Sequence, residues 1–359
     1  MNDFVNVFKP SVRSISAYHL KDRHYRVKLN QNENPYDLPN WFKDEVFQEF
    51  RNMAWNRYPS YTNLRLVERL SAYLNVPPNH LLVGNGSNEL LQTVISVVLS
   101  AGKKLLLVTP TFQIYQQLGK VAEAEICQIE FEEDWSFPIE KILRLLKEKT
   151  IELCILCSPN SPTGSTLNQD DLKQICETAR GLILVDEAYH EFSKINYLEL
   201  QAYHKNLILT RTFSKAMGLA GLRIGYLIAD ADLIREIHKA KLPYNLNIFS
   251  ELVASKLLDH QNLLQQNIQK IVSEKERIGQ KLFKLKGVTV FPSQANFFMI
   301  ATSIPAPALF EKLLNLGLLV RDISSYHPRL QNTLRITVGM PAENDALINA
   351  LQISRSQID

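Results

Sequence analysis

The sequence lacks any apolar run long enough to cross a membrane. Its most apolar helix candidate, residues 90–101, contains four polar residues and falls short of the roughly 20 residues that a bilayer requires. The amino terminus carries an early acid, Asp3, and has no continuous apolar stretch before Pro10, so it does not have the form of a signal peptide. We therefore expect no membrane partner and a cytoplasmic location.

Long runs of one charge are also missing. The 359 residues include 40 Lys and Arg against 37 Asp and Glu, a net charge of +3, and the basic residues are scattered along the chain. Proteins that bind nucleic acid or anionic lipid by charge concentrate basic residues in one segment or on one face. The balance of charge therefore excludes nucleic acid as an expected partner.

Cysteine is scarce, and no pattern typical of a metal site is present. Cys154 and Cys157 form a C-x-x-C, but they fall within an apolar run, residues 151–157, that is typical of a buried strand. No second cysteine pair and no histidine at ligand spacing accompanies them, and the eight histidines form no H-E-x-x-H. We expect both thiols to pack as small apolar groups, and we expect no bound metal.

Short apolar runs alternate with helix-length amphipathic segments through the first two thirds of the chain. Because the runs are apolar at successive positions, the strands that they predict are buried on both faces, as in a mostly parallel sheet flanked by helices. This pattern predicts an α/β fold. The predicted strands cover residues 81–83, 104–108, 126–131, 151–157, 182–185, 207–210 and 224–229, and the predicted helices cover residues 87–100, 111–121, 138–149, 168–180 and 231–241.

The pattern changes after Pro243 and predicts a second, smaller α+β domain with an antiparallel sheet. A chain of this length suits two domains. We predict an N-terminal arm, residues 1–40, a large domain, residues 41–245, and a small domain, residues 246–359. The elements predicted in the small domain are helices at 247–260, 261–286 and 306–315, strands at 288–291, 296–300, 318–321 and 333–338, and a last helix.

Residues 211–226 combine a lysine with groups that suit an anion. Lys215 lies at the mouth of the predicted strand 207–210, among hydroxyls, glycines and Arg223, and has no acidic neighbour. A deprotonated amine is a nucleophile for carbonyl carbon, whereas the hydroxyls and Arg223 are suited to hold an anion. Pyridoxal phosphate offers both an aldehyde and a phosphate. The alternative is a surface loop with a solvated lysine.

The ends of the other predicted strands supply further groups, and ligands of parallel sheets bind at the carboxyl ends of strands. A glycine turn, residues 84–89, opens a helix whose free N–H groups suit a phosphate. Asp186 ends another strand, and a buried carboxylate needs a partner. That partner is either a helix start or the protonated nitrogen of a pyridoxal ring, and Tyr189 is then placed to donate to the ring's phenolic oxygen.

Two more strand ends carry residues suited to a flat ring. Residues 158–164 form a turn-rich stretch that brings Asn160 or Ser161 to the same phenolic oxygen. Phe112 follows the strand 104–108, where its ring suits either stacking on a cofactor or packing in the core. Together the strand ends supply phosphate donors, an acid, a stacking ring and a nucleophile.

With these motifs the chain resembles the fold-type I pyridoxal-phosphate-dependent aminotransferases, and among them the histidinol-phosphate aminotransferases. The resemblance covers nearly the full length. The lysine segment is specific for the cofactor class, whereas residues 32–36 and 319–322 indicate the subfamily. The matching segments are 32–36 (Asn-Glu-Asn-Pro-Tyr), 57–59 (Arg-Tyr-Pro), 84–87 (Gly-Asn-Gly-Ser), 159–164 (Pro-Asn-Ser-Pro-Thr-Gly), 185–189 (Val-Asp-Glu-Ala-Tyr), 211–215 (Arg-Thr-Phe-Ser-Lys), 221–226 (Gly-Leu-Arg-Ile-Gly-Tyr), 293–297 (Ser-Gln-Ala-Asn-Phe), 319–322 (Leu-Val-Arg-Asp) and 334–339 (Leu-Arg-Ile-Thr-Val-Gly).

The resemblance implies a role for each matched position. Lys215 would be the Schiff-base lysine and the base for the substrate's Cα proton, Asp186 the partner of the ring nitrogen, and Tyr189 a contact of the ring oxygen. Phe112 would stack on the ring, and Asn88 would lie beside the cofactor. The phosphate would be held by Gly86, Ser87, Thr212, Ser214 and Arg223, and Tyr58 would reach the phosphate of the neighbouring subunit. The substrate would be bound by Arg321, Arg335, Tyr18 and Asn32.

One position departs from the family pattern. Many relatives have asparagine immediately before Pro-Thr-Gly, where this chain has Ser161. The ring oxygen would then be met by Ser161 directly, through a water, or by Asn160 instead.

The implied reaction converts histidinol phosphate and 2-oxoglutarate into imidazole acetol phosphate and glutamate, a step of histidine biosynthesis, in a homodimer with shared active sites. A threonine-phosphate decarboxylase or an aromatic-amino-acid aminotransferase has nearly the same motifs. A non-catalytic pyridoxal-binding protein would lack Lys215 or carry an added DNA-binding module, and the sequence shows neither feature.

Overall fold

The computed structural model describes residues 3–17 and 22–356. Its strands are β1 (Val27–Lys28), β2 (Leu81–Gly84), β3 (Lys104–Thr109), β4 (Glu125–Glu130), β5 (Leu153–Cys157), β6 (Leu182–Asp186), β7 (Leu207–Thr212), β8 (Gly225–Ile228), β9 (Val288–Val290), β10 (Phe297–Thr302), β11 (Leu318–Leu319), β12 (Arg321–Asp322) and β13 (Thr333–Thr337). Its α-helices are α1 (Pro10–Arg13), α2 (Asn40–Arg51), α3 (Leu64–Leu74), α4 (Ser87–Val98), α5 (Gln113–Val121), α6 (Ile139–Glu148), α7 (Gln169–Thr178), α8 (Leu198–Tyr203), α9 (Ala231–His238), α10 (Ile248–Asp259), α11 (Gln261–Phe283), α12 (Ala306–Asn315) and α13 (Pro341–Ser356). Short 3-10 helices cover Asp3–Val7, Pro78–His80, His190–Phe192, Ala220–Leu222 and Pro328–Leu330.

Polar residues define where several helices begin. The side chain of Asn168 accepts a hydrogen bond from the backbone N–H of Asp171 at 2.7 Å, and Asn247 caps α10 in the same way. Asp230 caps α9. Such caps satisfy backbone donors that the first turn leaves unpaired, and each stabilises a helix by about 1 kcal/mol.

The central sheet has seven strands in the order β2-β8-β7-β6-β5-β3-β4. The neighbours from β7 to β4 are parallel, and only β8 pairs antiparallel with both β7 and β2. The chain returns from β7 to β8 through residues 213–224, which hold a single 3-10 helix instead of the crossover helix that a parallel return uses. The structure confirms the predicted α/β fold with a mostly parallel sheet.

Each face of this sheet is covered by its own apolar core. Along β3, Leu106 and Val108 pack into the core on one side, and Leu105 and Leu107 pack into the core on the other. Successive strand side chains point to opposite faces, so a strand covered on both sides needs apolar residues at every position. This burial explains the continuous apolar runs of the sequence.

A second sheet follows in the C-terminal part of the chain. It is antiparallel, with the order β12-β13-β10-β9, and α11, α12 and α13 pack around it. The arm runs beside it: β1 pairs in parallel with β11 as a separate two-stranded sheet, and the backbone N–H of Thr337 on β13 donates to the carbonyl of Leu29 at 3.0 Å. The predicted antiparallel sheet is therefore present, whereas the bounds 1–40, 41–245 and 246–359 stay predictions.

Two predictions of elements are wrong in detail. The single strand predicted at 318–321 is two strands, because β11 pairs with β1 whereas β12 turns to pair with β13. Two helices, α2 and α3, also lie between residues 40 and 74, where the sequence prediction has no element. Leu66, Leu70 and Leu74 of α3 are buried at a spacing of four, a helical signal that the sequence does contain.

Within residues 3–17 and 22–356, no helix combines the length and the apolar character needed to cross a membrane.

Candidate active site

A cavity of about 530 Å³ lies at the carboxyl ends of the central strands, facing the second sheet. We call it the central cavity. The residues that follow β2, β3, β5, β6 and β7 line one side, and the arm and the second sheet line the other. Among its lining residues are Asn30, Gln31, Glu33, Ser87, Asn88, Phe112, Tyr115, Ser161, Asp186, Tyr189, Thr212, Ser214, Lys215, Arg223, Arg321, Tyr326 and Arg335.

Lys215 projects its amine into the central cavity. The Nζ donates to the backbone carbonyl of Gln31 at 2.6 Å and lies 5.9 Å from the ring centroid of Tyr189. Burial, together with the nearby guanidinium groups of Arg335 and Arg223, lowers the pKa of Lys215 to about 7. A large fraction of this amine is therefore neutral near pH 7, as a nucleophile for a carbonyl carbon must be.

Asp186 ends β6 with a carboxylate that is 3% exposed. Its Oδ2 accepts from the hydroxyl of Tyr115 at 2.5 Å, and its Oδ1 accepts from the backbone N–H of Ala188 at 3.1 Å. Burial raises the pKa of Asp186 to about 6, and the hydrogen bond from Tyr115 opposes that rise. The carboxylate is thus prepared for a cationic partner in the cavity.

Tyr115 is a site residue that sequence reasoning missed. It is fully buried on the first turn of α5, three residues after Phe112, and so shares a helical face with that strand end. Burial raises the pKa of Tyr115 well above its ordinary value, which keeps the hydroxyl protonated as a donor. The spacing of three from Phe112 is the signal in the sequence that identifies it.

Tyr189 is held by the arm. Its hydroxyl accepts from Nδ2 of Asn32 at 3.0 Å, and the Oδ1 of Asn32 accepts from the hydroxyl of Thr337 on β13 at 3.0 Å. Asn32 is 1% exposed and has a φ of 55°, a left-handed conformation that asparagine tolerates better than most residues. The arm therefore reaches the end of β6 through one buried side chain.

An anion cradle is formed where β2 meets the segment after β7. Helix α4 begins at Ser87, directly after Gly86. The free backbone N–H groups of its first turn, at the positive end of the helix dipole, therefore face the cavity. Nη1 of Arg223 donates to Oγ of Ser214 at 3.1 Å, and the backbone N–H of Ser214 donates to Oγ1 of Thr212 at 3.1 Å. Hydroxyls, amides and one guanidinium therefore converge at one point.

Gly86 and Gly225 let the backbone close around this cradle. Gly86 has a φ of +83°, and a Cβ there would come within 2.7 Å of Nη2 of Arg223. A Cβ at Gly225 would come within 2.3 Å of the backbone nitrogen of Ser87. Side chains at either position would occupy the space around the donors.

The residues after β3 and β5 differ in what they offer the cavity. The ring of Phe112 lines it and meets Tyr115 edge to face at 5.5 Å. Asn160 is 1% exposed and does not line it: its amide donates to the carbonyl of Pro110 and to Thr163, and its Oδ1 accepts from Thr111. Ser161 lines the cavity instead.

Two arginines from the second sheet face the central strands. Arg321 on β12 and Arg335 on β13 are direct partners in the antiparallel register, and both line the cavity. Nη1 of Arg335 donates to Oγ of Ser161 at 2.8 Å, and Nε of Arg321 donates to the hydroxyl of Tyr326 at 2.5 Å. Two guanidinium groups therefore face the same side of the cavity, where their forked donors suit an anionic group.

Among the described residues, four predicted site residues do not line the central cavity: Asn32, Gly86, Asn160 and Tyr58. Tyr58 is 82% exposed and stacks on Tyr244 with ring centroids 4.6 Å apart, away from the cavity. Tyr18 lies outside the described residues. Cys154 and Cys157 are buried, and burial raises the pKa of both thiols.

The donors present fit pyridoxal phosphate. The cradle offers a helix start, hydroxyls and Arg223 to a phosphate, Asp186 offers a buried carboxylate to a ring nitrogen, and Lys215 offers an amine of lowered pKa to an aldehyde. In the part of the chain that the structure describes, no group of three His, Cys, Asp or Glu side chains is arranged to hold a metal ion.

Comparison with known proteins agrees with this geometry. The sequence profile described as aminotransferase class I and II matches residues 26–351. This chain belongs to the class I and II aminotransferase family. The enzyme is therefore a transaminase, and pyridoxal phosphate is its cofactor. A curated relative, the histidinol-phosphate aminotransferase of Chlorobaculum tepidum, is 37% identical over 96% of this chain and 99% of its own length.

Solved structures share the fold of this aminotransferase. The histidinol-phosphate aminotransferase of Sinorhizobium meliloti, solved in complex with pyridoxal-5'-phosphate, has a TM-score of 0.87 at 22% identity, with 98% of each chain covered. The L-threonine-O-3-phosphate decarboxylase of Porphyromonas gingivalis has a TM-score of 0.80 at 24% identity and covers 92% of this chain and 99% of its own. The fold is thus common to enzymes with different reactions.

Proposed function

We propose that this aminotransferase transfers the amino group of histidinol phosphate to 2-oxoglutarate, a step of histidine biosynthesis. The curated relative that is 37% identical is named for this substrate, and the two chains match over nearly their full lengths. The cavity supports the proposal because, besides the hydrogen-bond donors suited to the cofactor phosphate, it contains two further cationic side chains, Arg321 and Arg335.

The observation that carries the proposal is the facing pair Arg321 and Arg335. The two substrates differ in their anionic groups, since one carries a phosphate and the other carries two carboxylates. A guanidinium presents forked donors that match either group. The two arginines are register partners, so a single anion between them would offset their mutual repulsion in both half-reactions.

We assign the proton transfer at the substrate's Cα to Lys215. When bound here, pyridoxal phosphate supplies an electron sink for the charge left at Cα. The Nζ of Lys215 accepts the Cα proton, because its pKa of about 7 leaves the amine partly neutral near pH 7. Asp186 would keep the ring nitrogen protonated, and Tyr189 would donate to the ring oxygen.

The remaining cofactor contacts follow from the same cavity. Phe112 would lie against the ring, and the cradle of Gly86, Ser87, Thr212, Ser214 and Arg223 would hold the phosphate, with Asn88 beside it. Between the alternatives at the ring oxygen we favour Ser161 over Asn160. The amide of Asn160 is already bonded on both its oxygen and its nitrogen, whereas Ser161 lines the cavity.

We further propose a homodimer with shared active sites. Tyr58 is exposed, and Trp55 and Tyr61 near it are also exposed, so this surface presents several aromatic side chains to a partner. Tyr58 of one subunit would reach the cofactor phosphate of the other. The cytoplasmic location stays a prediction.

A panel of amino donors tests the proposed reaction. The holoenzyme is mixed with 2-oxoglutarate and with histidinol phosphate, phenylalanine, tyrosine or phosphothreonine, and glutamate formation and carbon dioxide release are both measured. We expect the highest kcat/KM with histidinol phosphate. Carbon dioxide released from phosphothreonine would make the chain a decarboxylase, and a preference for phenylalanine or tyrosine would make it an aromatic aminotransferase.

A further inference from the structure

The loop between β12 and β13, residues 323–332, packs against a turn of the central-sheet part of the chain. That turn, residues 131–136, directly follows β4. Arg329 joins the two: its Nη1 donates to the backbone carbonyl of Phe131, and its Nη2 donates to that of Glu132 at 2.8 Å. Its guanidinium also lies 4.3 Å from the ring centroid of Trp135. One side chain thus binds two backbone carbonyls of this turn and contacts the ring of Trp135.

A small apolar core supports the same contact. Met299 of β10 packs with Ile323 and Leu330 of the loop, and all three are buried. Trp135 from the central-sheet turn and Phe291 pack against them, and these two rings meet edge to face at 6.1 Å. The loop and the turn therefore share one core, which gives the Arg329 contact a defined geometry.

The loop also carries the partner of a substrate arginine. Tyr326 lines the central cavity, and its hydroxyl accepts from Nε of Arg321 at 2.5 Å. The guanidinium of Arg321 lies 5.5 Å from the ring centroid of Tyr326. Arginine held by both an acceptor and an aromatic face loses most of its rotational freedom. Tyr326 therefore sets the direction in which the forked end of Arg321 points.

We propose that Arg329 is a positioning residue that acts through Tyr326 on Arg321. By fixing the loop to the turn after β4, it places the Tyr326 hydroxyl where it holds the guanidinium of Arg321 ready for the substrate's anionic group. The proposal rests on the assignment of Arg321 to substrate binding. It makes affinity for the anionic substrate depend on a residue that does not touch the substrate.

A double-mutant cycle tests this coupling. We expect Arg329→Ala to raise the KM for histidinol phosphate about tenfold, the effect of losing one well-oriented hydrogen bond to a charged group, with kcat changed less than about twofold. In an Arg321→Ala background, the same change should have an effect of less than about twofold. The absorbance of the bound cofactor should be unchanged. Arg144→Ala, an exposed arginine on α6, is the matched control.

Two milder variants cover the case in which Arg329→Ala does not fold. Tyr326→Phe keeps the ring and removes the hydroxyl, and we expect it to raise the KM as well. Arg329→Lys keeps the charge but loses the fork, so its KM should lie between those of the native enzyme and Arg329→Ala.

The outcomes separate this inference from the proposed function. If Arg321→Ala leaves the KM unchanged, the assignment of Arg321 to substrate binding is wrong. If Arg321→Ala raises the KM but Arg329→Ala and Tyr326→Phe do not, only the positioning role is wrong. An equal effect of Arg329→Ala in both backgrounds also contradicts the positioning role, because it shows that Arg329 acts independently of Arg321.

Discussion

At the scale of single residues, Asp186 shows how burial and hydrogen bonds together set the charge of a carboxylate. Burial raises its pKa to about 6, and the hydroxyl of Tyr115 stabilises the charged form. A carboxylate in this state gains more from a cationic ring nitrogen than a solvated one would, because few other groups compensate its charge.

Removing the Tyr115 hydroxyl should weaken cofactor binding. We expect Tyr115→Phe to raise the pKa of Asp186 further and to raise the dissociation constant of pyridoxal phosphate about tenfold, because a hydrogen bond to a charged group is lost. Fluorescence titration of the cofactor-free enzyme measures this. Tyr197→Phe is the control, since Tyr197 is equally buried and bonded to Ser158 but does not line the cavity. Equal affinities for both variants would contradict the role of Tyr115.

The lowered pKa of Lys215 predicts a pH dependence. Below about pH 7 the amine is mostly protonated, and above it the amine is mostly free, so capture of the aldehyde should speed up as pH rises through 7 and then level off. The rate at which cofactor-free enzyme bonds pyridoxal phosphate, followed by absorbance, measures this. Pyridoxamine phosphate, which has no aldehyde, should show no such rise. A rate that increases only near pH 10 would contradict the lowered pKa.

Most single-residue assignments follow from strand ends. Lys215, Asp186, Ser87 and Phe112 each come directly after an apolar run, and the structure brings all four to one cavity. Tyr58 depends only on family resemblance, because no local pattern connects an exposed tyrosine with a cavity to which it does not belong. Its role stays a prediction.

At the scale of elements, the start of α4 joins the cradle to the sheet. Gly86 and Gly102 have the same φ, +83°, but a Cβ meets Arg223 at the first and nothing within 4 Å at the second. Alanine substitutions at these two glycines therefore distinguish the effect of backbone strain, which both share, from the effect of a side chain that crowds Arg223, which only Gly86 has.

We expect both glycine-to-alanine changes to lower the free energy of unfolding by about 1–3 kcal/mol, the cost of holding a residue with a Cβ at a positive φ. Only Gly86→Ala should also raise the dissociation constant of pyridoxal phosphate, by at least about tenfold, because its Cβ displaces the guanidinium of Arg223. Urea unfolding and cofactor titration give the two quantities. Similar cofactor affinities in the two variants would show that the cradle does not depend on Gly86.

The sequence predicts a strand or helix where the local apolar pattern determines it. It does not predict an element whose bounds depend on pairing with a distant part of the chain. The parallel strands follow from their apolar runs, because burial on both faces leaves a local signature. The break between β11 and β12 has no such signature: it arises because Leu318 and Leu319 pair with Val27 and Lys28, almost 300 residues earlier in the chain.

At the scale of the whole molecule, the central cavity exists only because distant parts of the chain meet. The amine of Lys215 bonds to Gln31 of the arm, and Arg335 of the second sheet bonds to Ser161 after β5. Neither pairing has a local signal in the sequence. The residues after the strands therefore predict one wall of the cavity, whereas the wall formed by the arm and the second sheet is visible only in the folded structure.

The proposed dimer gives a prediction at the same scale. Light scattering should show a mass twice the 41.1 kDa of the chain. Tyr58→Ala should weaken binding of pyridoxal phosphate, although Tyr58 does not line the cavity of its own subunit. Tyr203→Ala, equally exposed at 83% against 82%, should leave binding unchanged. A monomer that binds the cofactor with full affinity would contradict shared sites.

The central claim is that Lys215 carries the cofactor, and borohydride trapping tests it most directly. The holoenzyme is reduced with borohydride, digested, and analysed by peptide mass spectrometry. We predict that the reduced cofactor is attached to the peptide containing Lys215, and that Lys215→Ala protein traps none. An unmodified Lys215, or a cofactor attached to another lysine, would contradict the account.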